Sequence, residues 1–91
     1  MPELVADIVD PKAAAREKKK SQQLLEQGRT HDAIAHGMES VRLDPADGEA
    51  WLILGAAHQM VGDFKEARRA FASCLKEGKR GPRGECAAMS H

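Results

Sequence analysis

Four histidines, two cysteines and one short basic run are the residues of this 91-residue chain whose types could carry chemistry. His31, His36, His58 and His91 could serve as general bases, and Ser40 or Ser73 as nucleophiles. That chemistry needs base and nucleophile within hydrogen-bond reach and a third group to orient the base. No spacing in the sequence assembles such a set. Cys74 and Cys86 have neither a second pair nor a histidine at ligand spacing, so neither a zinc site nor a disulfide framework is expected. Cys74 falls in an apolar stripe and reads as an inert filler. Cys86 falls in a tail with nothing nearby to depress its pKa.

Two patterns point toward phosphate, and both are incomplete. Gly78-x-x-Gly81-x-x-Gly84 follows a helical stretch instead of opening one, and it lacks the Gly-Lys-Ser/Thr end of a phosphate loop. Arg16-x-Lys18-Lys19-Lys20 is the densest cationic run, as a nucleic-acid surface would require. Against that stand Glu17 and Glu26 beside it, the balance of 14 Lys+Arg with 14 Asp+Glu, and the absence of interleaved aromatics. A solvated helix face fits the run better. The expectation is therefore a chain without metal, cofactor, nucleic-acid ligand or catalytic activity.

The elements that position these residues read as helices. Aromatics are only 3% of the chain, whereas a β-sandwich or barrel wants more aromatic and β-branched residues. Asp10 and Pro11 open a helix over 11–27 that Gly28 stops. Thr30 is expected to cap a second helix over 31–43, with Ala33, Ile34, Met38 and Val41 as its apolar positions and Asp44-Pro45 as its end. Asp47 caps a third over 48–61, with Glu49 near the positive end of its dipole. Asp63 and Glu66 form a capping-box-like start to a fourth over 64–77, whose stripe is Ala67, Ala70, Phe71, Cys74 and Leu75. Glycines and Pro82 then break the pattern, and 85–89 could restart a short helix. Short connections make successive helices antiparallel, so two helical hairpins in series are expected. No apolar run is long enough to span a membrane, and the first residues lack the basic start and apolar stretch of a signal peptide. A cytoplasmic location is the default, with an exported protein whose leader has been trimmed as the alternative.

A shift of about 34 residues lays the first hairpin on the second. Gly28 then falls on Gly62, Ala33 on Ala67 and Val41 on Leu75. Within the second hairpin, Trp51-x-x-Leu54-Gly55-x-x-His58 and Gly62-x-Phe64-x-x-Ala67-x-x-x-Phe71-x-x-Cys74-Leu75 resemble the tetratricopeptide repeat (TPR) family. Val41-x-Leu43-Asp44-Pro45 looks like the end of a preceding repeat. The resemblance covers 14–81. It implies an all-α fold of two tandem hairpins: a flanking segment 1–10, a first repeat 11–47, a second repeat 48–81, and a tail or partial capping helix 82–91. The first repeat departs from the pattern, with Glu17 and Lys20 where Trp and Leu are usual and Gly37 where Phe71 stands in the second. It reads as a polar cap whose contacts to the core are weak.

In the TPR family the first helices of the hairpins line a groove that holds a peptide or helix of a partner protein. Carried across, that groove would present Lys18, Gln22 and Leu25, with Ala15 and Glu26 beside them, then Glu49, Leu52, Ala56, Gln59 and Met60. His58 stands where the family packs a Tyr inside the hairpin. Lys18-x-x-Ser21-Gln22 resembles half of the family's carboxylate clamp, but Ile53 stands where the second Asn belongs and no third repeat supplies the remaining cations. The third helix is apolar on every side, and Leu52, Ala56 and Met60 form a stripe that needs a cover. Candidate covers are a partner protein, a second copy of the chain, the segment with Leu4, Val5, Ile8 and Val9, or the tail with Ala87, Ala88 and Met89. Two repeats are short of the three or so that a stable array normally needs. An interaction module is the expected function, with a self-associating structural element as the alternative.

Overall fold

Backbone dihedrals and side-chain caps set the element boundaries of the chain, whose residues 9–90 are described by a computed structural model. The described residues form α1 Pro11–Glu26, α2 Thr30–Leu43, α3 Gly48–Met60, α4 Phe64–Glu77 and α5 Arg83–Met89. Among them the only β-type pairing is one isolated bridge between Asp47 and Arg80. The fold is all-α, as the composition leads one to expect. Leu4, Val5, Ile8 and His91 lie outside the described residues.

Carboxylates cap three helices. The Ala13 N–H donates to Asp10 Oδ1 at 3.1 Å, the Glu49 N–H to Asp47 Oδ1 at 3.1 Å, and the Glu66 N–H to Asp63 Oδ1 at 3.3 Å. Each satisfies one orphan donor of a first turn. The start of α2 differs from expectation: Thr30 is already helical, Arg29 is the capping residue, and no side chain accepts there. The backbone of the turn decides this. Gly28 takes φ 79°, and the Arg29 N–H closes onto the Leu24 carbonyl at 2.8 Å, so the helix begins one residue early. The same turn recurs between α3 and α4, where Gly62 takes φ 82° and the Asp63 N–H closes onto the His58 carbonyl at 2.9 Å. Only glycine adopts that left-handed backbone without strain.

Packing pairs α1 with α2 and α3 with α4, while α2 joins α3 and α5 lies mainly on α4. The two pairs are filled differently. Between α1 and α2, two buried hydroxyls bond across the gap: Ser21 Oγ to the Ala33 carbonyl at 2.7 Å and Ser40 Oγ to the Ala14 carbonyl at 2.9 Å. Between α3 and α4, the fully buried Phe71 ring lies on Gly55, where an added Cβ would stand 2.7 Å from Phe71 Cζ. At the joint, Gly37 of α2 leaves room for Leu54 of α3; a Cβ there would lie 3.3 Å from Leu54 Cδ1. Gly37 is thus a close-contact position and not the weak point the sequence suggests. Val41, Ala50, Leu54 and Ala70 form the core cluster, with Ile34 and Trp51 packed against it. Met38, read from its spacing as part of the apolar stripe, is instead 55% exposed.

The C-terminal segment corrects the reading of the cysteines. Cys74 and Cys86 form a disulfide with their Cα atoms 6.2 Å apart, and both are fully buried. Cys74 is therefore not an inert filler, and Cys86 does not sit in a loose tail. The physical reason lies in residues 78–82, which fold back on the corner before α3. The Gly48 N–H donates to the Arg80 carbonyl at 2.7 Å, and the Arg80 N–H to the Ala46 carbonyl at 3.1 Å. Arg80 also pairs with Asp44, whose side chain is 6% exposed. That anchor turns α5 back over α4 and brings the two cysteines together, which cysteine counting cannot foresee.

The Gly55 contact sets a measurable constraint. Gly55→Ala forces the Phe71 ring aside and is expected to lower stability by about 1–3 kcal/mol in urea unfolding. Gly55→Ala combined with Phe71→Leu should recover part of that loss relative to the sum of the single changes. Strict additivity would show that the ring and position 55 do not meet.

Candidate functional site

The face expected to bind a partner is built by α1 and α3, which touch each other as α3 touches α5. Helical periodicity puts Lys18, Gln22 and Leu25 on one side of α1, and Leu52, Ala56 and Met60 on one side of α3. Gln22 and Glu49 are exposed, whereas Leu25, Leu52, Ala56 and Gln59 are half-buried. Met60 is 60% exposed. The opposite side of α3 is closed: Ala50, Leu54 and Ala57 are buried against α2 and α4. Leu52, Ala56 and Met60 thus stand on the side of α3 away from its own core contacts, and they are only partly covered within the described residues.

Lys18 behaves differently from the rest of the basic run. Arg16, Lys19 and Lys20 are exposed, as a solvated face requires. The Lys18 side chain is only 21% exposed and spans the gap from α1 to the start of α3. Its Nζ donates to Asp47 Oδ2 at 2.9 Å and to Glu49 Oε1 at 2.8 Å. Burial on its own would lower the pKa of this ammonium. The hydrogen bonds to Glu49 and Asp47, with the charges of both carboxylates, outweigh that and hold it above the ordinary 10.5. Of the predicted surface residues, Lys18 and Glu49 are brought into direct contact. A lysine so engaged is an internal strut, and a ligand carboxylate would have to compete with two already in place.

A concavity not anticipated from the sequence opens elsewhere, between α2 and α4. It measures about 280 Å³, with Trp51, Leu54 and His58 of α3, Met38 of α2, and Arg69 and Ser73 of α4 among its lining residues. The Trp51 indole is fixed by donating Nε1–H to the Pro45 carbonyl at 2.8 Å. His58 is half-buried, and its Nδ1 is enclosed without a hydrogen-bond partner. It packs in the hairpin as its position suggests, but with one polar atom unpaired. Rim charges cancel locally, Arg42 with Glu39 and Arg69 with Glu66, so the concavity favours neither sign of ligand. No pattern in the sequence signals it, since its lining residues come from three different helices.

Other chemistry finds no constellation here. His36 Nδ1 lies 2.7 Å from Glu17 Oε1, a pair with no nucleophile attached. Ser40, the serine best placed for packing, is committed to a backbone carbonyl. Among the described residues no group of three or more His, Cys, Asp or Glu side chains could hold a metal ion. No helix of the described residues is long and apolar enough to cross a membrane. A scan against protein-family models finds no match, and a search of curated proteins finds none either.

The Lys18 strut has a pH signature. Its pKa is raised on folding, so its contribution is complete below the unfolded value near 10.5 and fades as pH rises through the higher folded value. Lys18→Met should cost about 0.5–1 kcal/mol at neutral pH, allowing for partial solvent screening. The difference in urea midpoint between wild type and Lys18→Met should stay constant up to about pH 9 and shrink above about pH 10.5. A difference independent of pH across that range would show that the charge of Lys18 does not matter.

Proposed function

We propose that this chain is a TPR-like interaction module, two tandem helical hairpins with a short capping helix, which binds a peptide or helix of a partner protein. Binding takes place on the face of α1 and α3, by shape and apolar contact, without catalysis, cofactor or metal. The observation that carries this reading is the side of α3 bearing Leu52, Ala56 and Met60. An apolar stripe left partly open on a helix buried elsewhere marks a contact surface, and Met60 at 60% exposure adds an adaptable side chain to it. The repeated glycine turn at Gly28 and Gly62 supports the tandem architecture. Gln22, Gln59 and the outer part of Glu49 supply the polar margin, Leu25 adds a half-buried apolar contact, and Lys18 holds the two helices in register.

The absence of a net charge argues for a protein ligand over a nucleic acid, which would need a continuous basic surface. A cytoplasmic location remains the proposal. It is compatible with the Cys74–Cys86 bond if that bond responds to the redox state of the cell, since permanent disulfides belong to oxidising compartments.

Leu52→Glu and Met38→Glu test the face against the α2–α4 concavity. A library of helical and extended peptides is screened by fluorescence anisotropy, with helicity checked by circular dichroism. Leu52→Glu should weaken the selected peptides by tenfold or more, about 1.4 kcal/mol, whereas Met38→Glu should bind as wild type does. The reverse pattern would move the site to the α2–α4 concavity. A concentration-dependent mass in light scattering, abolished by Leu52→Glu, would show instead that a second copy occupies the face.

A further inference from the structure

The described residues hold one covalent bond between two helices, the consecutive α4 and α5, and it ends on the smallest helix. α5 has seven residues and no side-chain cap at its start, far below the length at which a helix holds itself in water. Its shape therefore depends on what it docks against. Within it, Cys86 alone is buried. Ala88 and Met89 face solvent, Met89 at 39% exposure, and Gly84 and Glu85 are exposed as well. The segment leading to α5 is fastened independently of the sulfurs, by the two backbone hydrogen bonds of Arg80, its pairing with Asp44, and Arg83 Nη1 donating to the Leu75 carbonyl at 2.8 Å. The fastened segment thus ends at the first residue of α5, and beyond it the buried attachment of the helix is the disulfide residue itself.

We propose that the Cys74–Cys86 bond is a redox-operated lock that holds α5 on α4, so that reduction releases α5 while the four longer helices stay folded. The chemistry is thiol–disulfide exchange with a dithiol reductant. One reductant thiolate attacks a protein sulfur, the Cys74–Cys86 bond breaks, and the departing sulfur leaves as a thiolate that takes up a proton. The second reductant thiol resolves the mixed disulfide. The protein gains two electrons and two protons as two thiols, and the reductant leaves as its own disulfide. Because both sulfurs are buried, attack waits on brief opening of α5. Re-oxidation is favoured by the same Arg80 anchor, which keeps the two thiols within a short loop. The outcome is a reversible change at the end of the molecule next to α3. It follows from the placement of α5 and does not depend on which partner the α1–α3 face binds.

Hydrogen exchange on the full chain tests the lock. The oxidised protein, the protein reduced with dithiothreitol, and Cys86→Ala are compared, with thiol titration confirming the redox state. On reduction and in Cys86→Ala, amides of α5 should exchange faster by on the order of 10- to 100-fold, while α2, α3 and α4 keep their protection. Returning the reduced chain to an oxidising glutathione buffer should restore both the protection and the absence of free thiols. Unchanged protection of α5 after complete reduction would overturn the proposal, because α5 would then be held by packing alone. Loss of protection in all helices together would overturn it equally, because the bond would then be a staple of the whole fold. Failure to re-form the bond would show that the closure is not reversible.

Discussion

Phe71 can lie flat on α3 because position 55 carries no side chain. It is the largest fully buried side chain among the described residues, and the next largest are cysteines and serines. One ring against one glycine therefore sets how closely α3 and α4 approach. The remaining contacts follow from that spacing. At short range Ala67 and Ala70 can close the gap, whereas larger residues would hold the helices apart. The close approach also carries Cys74 to within contact of Gly48, where an added Cβ would stand 3.4 Å from its sulfur.

The two hairpins solve the same problem with different chemistry. In the second, an aromatic ring on α4 covers a glycine on α3. In the first, the small residue is Gly37 on α2, and Ser21 on α1 approaches it with a hydroxyl tied to a backbone carbonyl. Hydroxyls bury little apolar area, but when fully bonded they add no desolvation cost and fix one geometry. The exchange leaves Gly37 free to receive Leu54 from the neighbouring hairpin. What looks like a degenerate first repeat is thus the socket by which the two hairpins join.

Local signals were legible in the sequence, and long-range closures were not. Asp10, Asp47 and Asp63 cap where their positions suggest, and Gly28 and Gly62 turn the chain as expected, because those interactions lie within four residues of their source. The span of α4 matches its periodicity, while α1 and α3 end a residue sooner than their patterns imply. The Cys74–Cys86 bond, the Asp44–Arg80 pair and the inward turn of Lys18 were not legible. Each joins residues far apart in the chain, and nothing in the local pattern of Arg80 or Lys18 distinguishes them from the exposed cations around them. Met38 was misplaced for a related reason. Its spacing suits an apolar stripe, but the partner that would cover it in the neighbouring hairpin is absent.

Those long-range ties converge on one place, the corner between α2 and α3. Lys18 reaches it from α1 through Asp47, Arg80 reaches it from the loop after α4 through Asp44 and the backbone at Ala46 and Gly48, and the Asp10 N–H bonds to the Leu43 carbonyl at its edge. Trp51 closes over it through Pro45. The corner's own residues, Asp44-Pro45-Ala46-Asp47-Gly48, carry no large apolar side chain that could define it by packing alone. Here paired charges and backbone hydrogen bonds do so, and Asp44, at 6% exposure, tolerates its burial because Arg80 neutralises it. The corner in turn fixes the first turn of α3 and hence the rotation of that helix. That rotation turns Leu54 toward the core and leaves Leu52, Ala56 and Met60 facing away from it. The position of the candidate binding surface is therefore set by polar contacts about one turn from it, and not by the apolar residues that compose it.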